Sequence, residues 1–162
     1  MPLEPEKLDK NFDRVKQDAE AYYSSVSEVY CPYFNEAVAF NAKGLKHIKF
    51  KKDGVARSRS DQFMRLKHLR FAQRILEKSK TLQEYKESKV FEEVKSDQRK
   101  GKILQDAHFY GFTAIIADGD KMKRLKIVVK QVGGGKKYFW SIIPFWTRNK
   151  ELMLHSGNPE ED

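Results

Sequence analysis

Histidine, arginine and serine side chains that could move protons or hold a phosphate fall in three parts of this chain. His47 stands in Gly44-Leu-Lys-His47-Ile-Lys, after a glycine expected to turn the chain and between basic neighbours. Cationic neighbours lower an imidazole's pKa and a bound phosphate raises it, so a histidine in this setting can exchange a proton near neutrality. A solvated surface histidine fits the same residues. Arg57 and Arg59 lie in a basic polar loop, Lys51 to Ser60, that leads into a helix carrying Arg65 and His68. Along that helix Lys67, Arg70, Arg74 and Lys78 recur at helical spacing as a basic stripe, which is either a solvated face or a track for a phosphate backbone. His68 aligns with the edge of the apolar face, where a packed imidazole is the plain alternative to a chemical role. Ser141 is the one serine of Tyr138-Phe-Trp-Ser141-Ile-Ile-Pro. Strand alternation directs it the same way as Phe139 and Ile143, opposite to Trp140 and Ile142. It either bonds to neighbouring backbone or holds a phosphate oxygen on a concave sheet face. Tyr138, Trp140 and Trp146 share the other face, as core or as a platform for stacking bases.

Other chemistries lack their residues. No phosphate-binding G-x-x-x-x-G-K-[ST], dinucleotide G-x-G-x-x-G after a strand, nucleophile-elbow G-x-S-x-G or zinc-binding H-E-x-x-H is present. Gly133-Gly134-Gly135 joins two strands and opens no helix, so it reads as a hairpin turn. His47, His68, His108 and His155 include no i, i+4 pair, and Cys31 is the single cysteine. A zinc site and an intramolecular disulfide are therefore not expected, and neither is a cofactor.

The elements that must position these groups follow from periodicity. Leu8, Phe12, Val15, Ala19, Tyr22, Val26 and Val29 recur at steps of three and four, which predicts a helix from Glu6 to Tyr30, stopped by Cys31-Pro32. Glu36 to Phe40 reads as a strand in preference to a short helix, followed by a turn at Asn41-Ala-Lys-Gly44. Asp61 is the expected N-cap of an amphipathic helix running to Ser79, and Thr81-Leu-Gln-Glu84 has the pattern of a capping box opening another short helix. The charged stretch Ser88 to Gln98 fits no element clearly. His108–Ala117, Leu125–Val132 and Lys137–Phe145 are rich in β-branched and aromatic residues, and turn residues separate them. Helices first and an antiparallel meander after them make an α+β domain spanning 1–162: a long helix at 6–30, a core at 36–146 and a flexible acidic tail at 155–162.

Composition bounds the partners. Thirty-two Lys and Arg against 23 Asp and Glu leave a formal charge of +9 in 162 residues. That excess favours anionic partners such as RNA, DNA or acidic proteins. No apolar run approaches the ~20 residues that cross a bilayer, and the first residues lack a secretory pattern. With one cysteine, the expectation is a cytoplasmic protein with no membrane partner.

Taken together, Phe40-Asn-Ala-Lys-Gly-Leu-Lys-His47, the arginine-bearing loop, Arg65-Leu66 and the hairpin Leu125-Lys-Ile-Val-Val-Lys130 leading to Tyr138-Phe-Trp-Ser141-Ile-Ile-Pro resemble a known pattern. It is that of the barnase–EndoU–colicin–RelE superfamily, in its phage and mobile-element branch, over residues 36 to 146. The resemblance implies a helix pair against an antiparallel sheet. It also implies a toxin-type endoribonuclease working without metal, in which the ribose 2′-hydroxyl attacks phosphorus and leaves a 2′,3′-cyclic phosphate. His47 would then be the acid or base, Arg57 and Arg65 would stabilise the phosphate, Ser141 would position one of its oxygens, and His68 would be a second acid–base partner. Arg59, Lys67, Arg70, Arg74 and the hairpin lysines Lys126 and Lys130 would hold the nucleic acid, and an acidic antitoxin or immunity protein would neutralise it. A second reading is a nucleic-acid-binding protein of a phage or conjugative element that uses the same groove without catalysis, and a third is a structural or interaction protein whose basic face meets an acidic protein.

Overall fold

The computed structural model describes residues 5–96, 99–145 and 156–162, with side chains described for 11–92, 101–145 and 156–162. Leu8, Asp97, Gln98, Trp146 and His155 therefore lie outside what can be compared. The chain is an α+β protein in which helices pack on a six-stranded, mostly antiparallel sheet, two of whose strands fall between the first and second helices. In chain order the elements are α1 (Pro5–Val26), β1 (Glu28–Cys31), β2 (Glu36–Ala39), α2 (Ala42–Lys49), α3 (Arg59–His68), a 3-10 turn (Leu69–Phe71), α4 (Ala72–Glu77), β3 (Glu84–Ser96), β4 (Arg99–Asp118), β5 (Lys121–Val132) and β6 (Tyr138–Pro144). The strand order is β1-β2-β6-β5-β4-β3. All neighbours run antiparallel except β2 and β6, which meet in parallel at Ala39 and Tyr138. No helix among the described residues is long and apolar enough to cross a membrane.

The meander of β4, β5 and β6 forms as its composition predicts, with Gly119 at φ +62° in the first turn and Gly133 at φ +55° in the second. One face of the sheet is dry. Phe112, Leu125, Ile127, Val129, Phe139 and Ile142 pack there against Phe12, Ala19 and Tyr23 of α1 and against Leu66, Leu69, Ala72, Ile75 and Leu76. The opposite face carries a smaller apolar cluster of Ala107, Phe109, Val128, Val132, Tyr138 and Trp140.

Five expectations need correction. The first helix ends at Val26 and not Tyr30, because Ser27 takes φ +62° and Glu28–Cys31 pair with β2. Asn41 to Gly44 is no turn. Asn41 caps α2 by accepting from the Gly44 N–H at 3.2 Å. Ser58, not Asp61, caps α3 by accepting from the Asp61 N–H at 3.1 Å, which leaves the Asp61 carboxylate for other partners. The helix is also interrupted. His68 Nδ1 lies 2.6 Å from the Met64 carbonyl oxygen one turn back, and the chain tightens into the 3-10 turn just beyond. Finally, Thr81-Leu-Gln-Glu84 opens no helix: Glu84 begins β3 opposite Gly111, and the pairing runs on to Ser96 opposite Arg99. Long-range strand pairing there overrides a local capping pattern.

Candidate phosphate-binding cleft

Four segments, α2, the loop before α3, α3 and β6, bring the central residues together beside the smaller apolar cluster. α2 places His47 in its last turn, and Gly44 lets that helix lie against β6. A side chain at Gly44 would collide with the Phe139 main-chain oxygen and come within 2.7 Å of the Tyr23 hydroxyl. The loop before α3 supplies Arg57, and α3 supplies Asp61 and Arg65 one turn apart. All of His47, Arg57, Arg65 and Ser141 are 5% exposed or less, so their polar atoms must find partners within the protein.

Those partners form one network. Arg57 donates from Nε to the His47 main-chain oxygen at 2.9 Å, and its Nη2 lies 3.0 Å from His47 Nε2. A guanidinium has only donors, so Nε2 is the acceptor and the imidazole is neutral with its proton on Nδ1. Asp61 accepts from Arg57 Nη1 at 3.5 Å and from Arg65 Nε at 2.5 Å, tying the two arginines to one carboxylate. Arg65 Nη1 donates to Ser141 Oγ at 2.6 Å. The His47 ring stacks on Trp140, with centroids 3.8 Å apart and planes 15° apart, and Lys130 Nζ lies 3.9 Å from the same indole.

Ser141 reaches this network through an irregularity that alternation alone does not foresee. Ser141 pairs with Val128 but Phe139 pairs with Val129, so Trp140 is an extra residue, a β-bulge. The bulge turns Ser141 to the same face as Trp140 and Tyr138, away from Phe139 and Ile142, which sit in the dry core. The expectation that Ser141 shares a face with Phe139 is thereby corrected. On the next strand Lys126, fully buried, forms ion pairs with Glu84 and Asp162.

Residues 156–162 are also part of the cleft, where a flexible tail is expected from composition. Asp162 is 1% and Glu160 5% exposed. The Asp162 main-chain oxygen accepts from Ser141 Oγ at 2.6 Å and from Arg65 Nη1. Glu160 accepts from Ser88 Oγ at 2.6 Å and from Lys86 Nζ at 3.0 Å, and its main-chain oxygen faces Trp140 Nε1 at 3.4 Å. The physical reason is charge: the acidic segment meets Lys52, Lys86, Lys126 and Arg65.

Electrostatics follow from that crowding. Burial pushes His47 down to about 2, and the charges of Arg57, Arg65 and Lys130 push the same way. Burial, opposed by Glu92, lowers Lys130 to about 8, and burial together with the charge of Arg57 lowers Arg65 to about 10. Beside the network a groove of about 650 Å³ opens between α2 and β3, lined by Lys43, Lys46, Lys51, Lys52, Phe91 and Tyr138 among others.

Not every expected residue is here. His68 is buried apart, between the Met64 carbonyl oxygen and Lys123 Nζ at 3.2 Å, and burial brings it down to about 4. Arg70 pairs with Asp118 at 2.8 Å, and Arg59 lies over the Phe12 ring on α1. Lys67 is exposed beside His68, while Arg74 borders a separate hollow with Lys78 and Thr113. The helical stripe thus has neighbours other than those of His47. Sequence patterning missed Asp61 as a bridge, Lys52 and Lys86, and the tail acids. A faint signal existed for the first: Arg57, Asp61 and Arg65 are spaced by four. Compared with known proteins, the chain matches no family model, no curated protein and no solved structure.

Proposed function

We propose that this chain is an endoribonuclease that cleaves single-stranded RNA by 2′-hydroxyl attack, using side-chain cations to stabilise the phosphorane. The observation that carries this reading is the convergence of His47, Arg57, Arg65 and Ser141, drawn from α2, the loop before α3, α3 and β6, in one buried hydrogen-bonded network whose His47 borders the groove. Arg57, Arg65 and Lys126 offer positive charge where an in-line displacement at phosphorus builds negative charge. Ser141 Oγ, already held by Arg65, aligns a non-bridging oxygen.

The proton steps fit two groups. His47 is neutral, and its Nε2 lone pair points at Arg57; a bound phosphate that engages Arg57 would free that lone pair and, by its negative charge, raise the imidazole's basicity so that it takes the 2′-hydroxyl proton. The 2′-oxygen bonds to phosphorus, the bond to the 5′-oxygen breaks, and the Lys130 ammonium protonates the leaving oxygen. Lys130 replaces His68 as the second acid–base group, since His68 has neighbours elsewhere. Because Lys130 must be charged, cleavage falls as pH rises through about 8. Such a protein would act as a toxin, and an acidic neutralising partner would fit its basic cleft.

One observation favours the second reading, binding without cleavage: His47 Nε2 is engaged by Arg57 and the ring lies flat on Trp140, as a supporting histidine would. Purified protein incubated with total RNA and EDTA separates the two. Cleavage that ends in 2′,3′-cyclic phosphate, and falls about 10²–10⁴-fold in His47→Gln with RNA affinity retained, is the expected result. Intact RNA at high protein concentration, with salt-sensitive binding still present, sinks the nuclease and leaves the binding protein.

A further inference from the structure

We propose that residues 156–162 are an intramolecular occupant of the phosphate cleft, an acidic peptide that must leave before RNA can enter. The inference rests on the anion-binding reading of the cleft given above, and deepens it by naming what competes for the site.

The segment is built to present its acids. Gly157 takes φ +78°, the Asn158 carbonyl oxygen accepts from the Glu161 and Asp162 N–H groups at 3.1 and 3.0 Å, and Asn158 Oδ1 accepts from the Glu160 N–H at 3.1 Å. Asp162 Oδ1 accepts from Ser156 Oγ at 2.5 Å and from the Ser156 N–H at 2.8 Å, closing the turn on itself. The other carboxylate oxygen goes to Lys126 and the main-chain oxygen to Arg65 and Ser141. One residue therefore presents two oxygens to two cations and a hydroxyl, the donor set that a phosphodiester's non-bridging oxygens would use. Glu160 repeats the pattern with Lys86, Ser88 and Lys52, and Glu161 adds a pair with Lys52 at 3.3 Å. Three carboxylates in a row thus follow the cations from the buried centre to Lys52 at the edge of the groove.

The contact is also reversible in principle, because its removal leaves no buried charge orphaned. Arg57 and Arg65 keep Asp61, and Lys126 keeps Glu84. Those resident carboxylates neutralise only part of the positive charge, so the emptied cleft still attracts a polyanion. A cleft occupied by its own tail nine-tenths of the time would show an apparent RNA dissociation constant raised about tenfold.

The test compares the full chain with the triple variant Glu160→Gln, Glu161→Gln, Asp162→Asn, which keeps the turn's backbone, and with a chain lacking residues 156–162. Thermal melts confirm that each folds. The probe is a fluorescent single-stranded RNA methylated at every 2′-oxygen, which cannot be cleaved by this route, read by anisotropy across a salt series. Both variants should bind about tenfold more tightly than the full chain. A synthetic peptide of sequence Ser-Gly-Asn-Pro-Glu-Glu-Asp should displace the RNA from the shortened chain, and its Gln/Asn counterpart should not. Equal affinity of all three proteins for RNA overturns the inference. If no form binds RNA while the shortened chain still takes up the acidic peptide, the docking stands and the nucleic-acid reading falls. A peptide that binds nowhere, with no gain in RNA affinity, removes the docking alone.

Discussion

The two faces of the sheet both bury side chains and solve opposite problems. On one, Phe112, Leu125, Ile127, Phe139 and Ile142 meet α1, α3 and α4 with nothing to satisfy but volume and shape. On the other, His47, Arg57, Arg65, Lys126 and Ser141 are as deeply buried, yet each is there only because another polar group holds it. Burial by itself therefore says little about role. The dry face should lose stability when atoms are removed, whereas the polar face should respond to changes of charge, protonation and position.

The largest expected effect tests the dry face. Phe112 is 1% exposed and edges onto Tyr33 and Phe34. Phe112→Ala should cost about 3–5 kcal/mol in urea denaturation; on the nuclease reading proposed above, RNA cleavage per folded molecule should be unchanged. A loss of cleavage greater than the loss of folded protein would show that the faces are coupled.

Gly44→Ala probes the seam between them. The added methyl meets the backbone of β6, so α2 must lift, at about 1–3 kcal/mol of stability. On the nuclease reading proposed above, α2 carries the proposed base His47, so cleavage should fall further than stability predicts. Kinetics at a temperature where the variant is fully folded would reveal this; unchanged turnover would mean that His47 does not depend on the height of α2.

Acid separates the faces next. His47 and His68 are held at about 2 and about 4 in the folded chain, against about 6.5 when unfolded. Between those values the unfolded chain binds more protons, so the stabilisation is complete above pH 6.5 and is lost as pH falls. From pH 6.5 to pH 5 each histidine should remove about 2 kcal/mol. His47→Gln and His68→Gln should each flatten part of that slope in melts from pH 5 to 7, while Phe112→Ala should leave the slope intact.

The smallest effect lies outside both faces. Lys136 and Glu28 pair at 3.0 Å with side chains 61% and 54% exposed. Lys136→Ala should change stability by less than about 0.5 kcal/mol, a difference erased by salt.

What the sequence determined by itself was the class of fold and four of the residues that meet beside the groove. Strand propensity and turn residues placed the meander of β4, β5 and β6, and helical periodicity placed α1 and the helical run that becomes α3 and α4, because those signals are local. The residue types of His47, Arg57, Arg65 and Ser141 were legible for the same reason. Four other features were decided only by tertiary structure. A capping pattern at Thr81 yielded to strand pairing with residues 99–111. A bulge at Trp140 redirected Ser141. Asp61, freed by Ser58, bridged two arginines, and an acidic end predicted to fray found buried cations far away in sequence. Each turns on a partner distant along the chain, and neither periodicity nor propensity records which distant charge or strand a residue will meet.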